Sequence, residues 1–103
     1  MPTIGESVYR NKRLLEACRQ LECMACGTQD GSVCAAHSNS LSDGKGRSLK
    51  ASDAAVAALC FQCHHKVDQG NKLSREERRE IWLAAHIKTM RALFERELVQ
   101  VKS

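Results

Sequence analysis

Aromatic side chains are nearly missing from this chain: two phenylalanines, one tyrosine and one tryptophan, 4% of 103 residues. Alanine supplies much of the 43% that is hydrophobic. A core so poor in bulky groups gathers little cohesion in a domain this small, so a covalent or metal staple is expected. Nor do aromatics interleave with the basic residues, which argues against base stacking as a mode of binding. There is no apolar run long enough to span a bilayer. The opening stretch "MPTIGESVYRNKRLLEACRQ" is charged and lacks the apolar segment of a secretory signal. The expected compartment is therefore the reducing cytoplasm, where paired cysteines bind metal more often than they form disulfides. Excess charge of one sign is also small, a net +4, which permits a nucleic-acid partner without requiring one. No internal repeat is visible, and the length suits one domain over residues 1–103.

What is there begins with helical spacing. Val8, Leu14, Leu15, Cys18 and Leu21 fall on one side of residues 7–21, with Arg10, Lys12, Arg13 and Arg19 elsewhere on the surface. An N-terminal amphipathic helix with a basic side is predicted there. "CMACG" reads as a tight turn in which Gly27 can take a positive φ, and "SVCAAH" as a short strand. Residues 38–53, rich in Ser, Gly and Asp, read as a long loop carrying Lys45, Arg47 and Lys50. "AAVAALC" then leads as a second short strand into "CHHKVDQG", a short helix that Gly70 can end. The last element, a helix over 74–98, opens with a capping box of Ser74 and Glu77. Its apolar stripe runs through Ile81, Trp82, Ala85, Thr89 or Met90, Leu93 and Phe94. Trp82 and His86 belong to the apolar side, while "REERRE" alternates in sign and reads as a solvated face.

Cys23-x-x-Cys26 and Cys60-x-x-Cys63 stand 33 residues apart. Two such pairs are what a tetrahedral Zn²⁺ needs, each bringing two thiolates to about 2.3 Å from one ion. A redox pair would want a βαβ context that is missing here, and paired disulfides would want an oxidising compartment. Four thiolates leave no open coordination position, so this zinc is structural. Cys18 and Cys34 remain, and both read as small buried hydrophobes.

A structural zinc leaves His37, His64, His65 and Asp68 unexplained. His64 and Asp68 are four residues apart and share a face of the short helix. One imidazole with one carboxylate is half a shell for a divalent cation that also takes phosphate oxygens. The plain alternative is a helix-surface contact worth a few tenths of a kcal/mol. If both cysteine pairs hold one zinc, the strand ending at His37 must pass near that helix.

In this order, a Cys-x-x-Cys, a strand ending in histidine and "LCFQCHHKVD" resemble the zinc-containing HNH (ββα-metal) endonucleases on a treble-clef-like scaffold. The run "AAHSNSLSDGKGRSLKASDAAVAALCFQCHHKVDQG" is more similar still to small phage and prophage nucleases of the YbcO type. The resemblance covers residues 23–70 and extends loosely to about residue 95. It implies an α+β fold: a small treble-clef, HNH-like core stapled by zinc and flanked by an N-terminal and a long C-terminal helix. It also implies His37 as general base, His64 as a ligand of a catalytic Mg²⁺ or another divalent cation, and Asp68 as a second ligand or as the residue that orients His64. The chain departs from the family pattern at Ala36, where a metal-binding Asp or His is common. It departs again at Ala54 and Ala55, near the family's middle asparagine. Asn39 and Asp53 are nearby substitutes, and His65 is a further auxiliary candidate.

The expected function is hydrolysis of nucleic-acid phosphodiester bonds by a phage or prophage protein in the bacterial cytoplasm. DNA is the expected substrate, with Lys45, Arg47 and Lys50 meeting phosphates. The apolar faces of the first and last helices could also pair two copies as a homodimer. The alternative is a zinc-knuckle module without chemistry that binds DNA or a protein. Ala36 speaks for that alternative, and His64 with Asp68 against it.

Overall fold

The computed structural model describes residues 9–39, 50–69 and 72–102. Within them lie α1 (Lys12–Arg19), β1 (Cys34–His37), β2 (Val56–Leu59), α2 (Phe61–Gln69) and α3 (Arg75–Glu95). The architecture is α+β: one two-stranded antiparallel sheet with helices packed on it. Cys34 lies opposite Leu59 and His37 opposite Val56. No helix of the described residues is long and apolar enough to cross a membrane.

The alternation of the antiparallel ladder explains how the sheet is held. Ser38 N–H donates to Ala55 O at 2.9 Å, so Ala55, Ala57 and Leu59 turn their backbone groups toward β1. Val56 and Ala58 turn theirs the other way. Three groups of that outer edge are bonded. Val56 O accepts from His86 Nδ1 at 2.7 Å, and Ala58 N–H donates to Thr89 Oγ1 at 2.9 Å. Ala58 O accepts the Met24 N–H at 2.8 Å. One turn before His86, Trp82 Nε1 donates to Ala36 O at 2.9 Å. Trp82, His86 and Thr89 thus form one face of α3 that bonds directly to the sheet backbone. The rings of Trp82 and His86 stack with centroids 4.9 Å apart, and the Arg79 guanidinium lies 5.1 Å from the Trp82 centroid. Small residues make the contact possible. Ala36, Ala57 and Ala58 are buried, and longer side chains there would hold the helix away from the strand.

The capping box is present: Ser74 Oγ accepts from Glu77 N–H at 3.0 Å, and Glu77 Oε1 accepts from Ser74 N–H at 2.9 Å. Trp82, Ala85, Thr89, Ala92 and Leu93 are the buried residues of α3. Thr89 rather than Met90 is fully enclosed, and Phe94 stands out in solvent at 49% exposure. "REERRE" is not simply a solvated face either. Arg78 Nη1 donates to Asp68 O and Arg79 Nη1 to Ser38 Oγ, both at 3.2 Å. These bonds lash α3 to the end of α2 and to the chain just after β1.

The first helix is shorter than its periodicity suggests. Asn11, with extended φ of −157°, is its N-cap and accepts from Leu14 N–H at 3.1 Å. Tyr9 and Arg10 precede the helix because their groups bond elsewhere: Asp53 N–H donates to Tyr9 O at 2.9 Å. Arg10 Nη1 and Nη2 donate to Ala51 O and Lys50 O at 2.6 and 2.8 Å. At the other end of the fold, α3 closes with Glu97 N–H on Phe94 O and Leu98 N–H on Leu93 O. That motif puts Glu97 in the left-handed region at φ 57°, where glycine is favoured.

Two substitutions should move stability in opposite directions. Thr89→Val keeps the shape but removes the acceptor for Ala58 N–H, and is expected to cost about 1–3 kcal/mol in urea denaturation. Glu97→Gly relieves the left-handed backbone and is expected to add about 1 kcal/mol in the same experiment.

Candidate functional site

The two cysteine pairs meet because both are tied to β2. The first hangs from Ala58 O through Met24 N–H, and the second is the continuation of the strand at Cys60. Around the first pair, Gly27 N–H closes on Cys23 O at 2.8 Å with Gly27 at φ +83°, as the turn requires. Cys23 N–H donates to Thr28 O at 2.8 Å. The second pair is held by α2, where His64 N–H donates to Cys60 O at 2.9 Å. The start of α2 is fixed from outside: Ser32 Oγ, itself bonded to Asp30, accepts the Phe61 N–H at 3.0 Å.

The Sγ atoms of Cys23, Cys26, Cys60 and Cys63 all lie within 4.8 Å of one another. Tetrahedral ligands at about 2.3 Å from one ion sit about 3.8 Å apart, and Cys26 Sγ to Cys60 Sγ is 3.7 Å. A disulfide would need about 2.05 Å. The four thiols therefore fit a structural metal such as zinc. Hydrogen bonds from Thr28 hold the Cys26 thiol down to about 6, while burial pushes the thiols of Cys60 and Cys63 up. Loading a metal must then expel protons, and falling pH opposes it. Among the described residues, no other group of three or more His, Cys, Asp or Glu side chains comes together in this way.

Beside the cysteine cluster opens a cavity of about 340 Å³. His37, Asn39, Lys50, His64 and Asp68 line it, together with Arg19 and Cys34. Both of its histidines are paired with a carboxylate, Asp68 in the lining and Asp53 behind it. His64 Nε2 lies 3.0 Å from Asp68 Oδ2, and Asn39 Nδ2 donates to Asp68 Oδ1 at 3.0 Å. His37 Nε2 lies 2.8 Å from Asp53 Oδ1. Asp53 is only 5% exposed in its side chain, whereas Asp68 is 36% exposed. Burial raises the Asp53 carboxyl, but His37, the Asn11 N–H and Arg10 together hold it below the usual carboxylate value.

His65 is exposed, stacks on Phe61 and does not line the cavity. Lys50 is exposed at the cavity rim, while Lys45 and Arg47 lie outside the described residues. Of the two remaining cysteines, Cys18 is fully buried, and burial with the nearby Cys34 pushes its thiol up to about 11. Cys34 is not simply a buried hydrophobe: it is half-buried, with Sγ 3.3 Å from His64 Nδ1. The sequence reading also gave no role at the cavity to Arg19, nor any to Arg10 as the clamp on Asp53. The basic side of α1 held a signal for Arg19. For Arg10, 43 residues from its carboxylate, no local pattern could have supplied one.

Comparison of the chain with protein-family models, with curated proteins and with solved structures gives no match.

Metal analysis of the purified protein is expected to find one zinc per chain, retained in Cys18→Ala and Cys34→Ala and lost in Cys60→Ser. Stripping it with a chelator should unfold the protein, because structural zinc contributes about 10 kcal/mol or more in small modules. Near-UV circular dichroism after chelation checks this.

Proposed function

We propose that the chain is a metal-dependent endonuclease of the HNH-like, treble-clef kind that hydrolyses phosphodiester bonds in nucleic acid, DNA being the favoured substrate. The observation that carries this reading is the shared cavity. It holds two imidazoles of different surroundings, an accessible carboxylate and two cations, Arg19 and Lys50. In this reading His37 draws a proton from water as the oxygen attacks phosphorus. The bond from phosphorus to the leaving oxygen breaks, and that oxygen takes up a proton from solvent. Arg19 and Lys50 hold the charged backbone in place, with the salt dependence that phosphate contacts bring.

His64 and Asp68 would hold a divalent cation such as Mg²⁺. Their Nε2 and Oδ2 are 3.0 Å apart, the spacing of adjacent ligands around an octahedral ion with bonds of about 2.1 Å. Such an ion, when bound, neutralises charge developing on the phosphate and the leaving oxygen. The exposure of Asp68 suits it to exchange its imidazole contact for a ligand.

A second reading is a zinc-knuckle module that binds DNA or a protein and performs no chemistry. It is favoured by the gathering of three or more metal-binding side chains, among the described residues, only at the four cysteines.

The test is nicking of supercoiled plasmid with and without Mg²⁺ or Mn²⁺, comparing wild type with His37→Ala, both shown to carry one zinc. Cleavage only with the divalent ion, reduced at least about 100-fold in His37→Ala, is the expected result. Salt-sensitive binding with no cleavage under any of these conditions would favour the binding module instead.

A further inference from the structure

The two histidines of the cavity differ in what their carboxylates are free to do. Asp68 stands at the surface with a third of its side chain exposed. Asp53 is enclosed and takes hydrogen bonds on both oxygens. Oδ2 accepts the Asn11 N–H at 2.7 Å, and Oδ1 accepts from Arg10 Nη1 at 3.3 Å beside its contact with His37. Arg10 is itself pinned by the carbonyls of Lys50 and Ala51. A carboxylate gripped in this way cannot swing out to take a metal. Being ionised, it can only accept hydrogen bonds, so the atom facing it, His37 Nε2, must carry the proton. The other ring nitrogen, Nδ1, then keeps its lone pair, and no described residue hydrogen-bonds to it.

We infer that Asp53 is a positioning residue that locks His37 as the Nε2–H tautomer, leaving Nδ1 as the basic atom, with Arg10 and the Asn11 amide holding Asp53 in place. The catalytic consequence rests on the nuclease reading; the tautomer does not. The carboxylate separates the roles of the two imidazoles. His37 is bound to a fixed anion and can move a proton but not change partners, while His64 shares an exchangeable one. The segment just before α1 thereby becomes part of the site, although residues 9–11 contribute nothing to its lining.

Asp53→Asn tests this with little change of shape. The short bond from Asn11 N–H claims the remaining oxygen, which turns the new NH₂ group toward His37 and demands a bare Nε2. Nitrogen-15 imidazole spectra of the zinc-loaded protein, without nucleic acid and at about pH 8 where free imidazoles are neutral, read the tautomer directly. The expected result is Nε2–H in wild type and Nδ1–H in Asp53→Asn, with zinc content and helix signal unchanged. In the plasmid assay, kcat is expected to fall at least about 100-fold with KM within about threefold. Nδ1–H in the wild type, or an unchanged tautomer in the variant, overturns the inference. A reversed tautomer with undiminished kcat overturns its catalytic part and leaves the nuclease reading standing. A reversed tautomer in a protein that cuts nothing sinks the nuclease reading but supports the hold of Asp53 on His37. Should Asp53→Asn not fold, the wild-type spectrum still decides. Arg10→Gln, which leaves both partners in place, is then expected to keep Nε2–H and lower kcat a few-fold.

Discussion

The backbone of Ala58 is the point on which the structure turns. Its carbonyl receives the Met24 N–H and its N–H goes to Thr89 Oγ1. One residue thus joins the first cysteine pair, the sheet and the long helix. Because β2 runs directly into Cys60, the same strand delivers the second pair to the first. Ala58 lies where the outer edge of a two-stranded sheet would otherwise be open to solvent or to another chain. One of the bonds on that edge, from Met24, also anchors the first cysteine pair beside the second.

Local chemistry made much of this legible in the sequence. The Cys-x-x-Cys pairs, the glycine of the first turn, the capping box at Ser74 and Glu77 and the order of elements all depend on residues close in sequence. What could not be read depends on side chains meeting across long separations. Periodicity put Arg10 inside a helix, but its guanidinium bonds to residues 40 and more positions away. Alternating signs made Arg78 and Arg79 look like solvated groups, yet a planar group with several donors can reach backbone and hydroxyl partners on other elements. Of the site residues, the pairing of His64 with Asp68 follows from helical spacing. The partner of His37 does not, since Asp53 reaches it only after β1 and β2 have set their register.

The cysteine cluster and the cavity are linked through single residues. Cys63 is followed directly by His64, and Cys34, which begins β1, touches His64 from the other side of its ring. The helix that completes the cysteine cluster therefore also sets where His64 and Asp68 stand. A loss of metal would disturb the cavity even though no cysteine of the cluster lines it. Arg78, reaching back from α3 to Asp68 O, adds a second restraint on the same helix end.

The alanine-rich contact between α3 and the sheet has a thermal consequence. Where cohesion comes from Trp82, His86 and Thr89 bonding to backbone and from four clustered thiols, and where alanines fill much of the buried core, each buried residue covers little apolar area. The heat-capacity increment on unfolding scales with apolar surface newly wetted and is diminished by polar surface. A fold of this kind should have a small increment and a flat stability curve. It would gain little at its temperature of maximum stability and lose little on cooling below it.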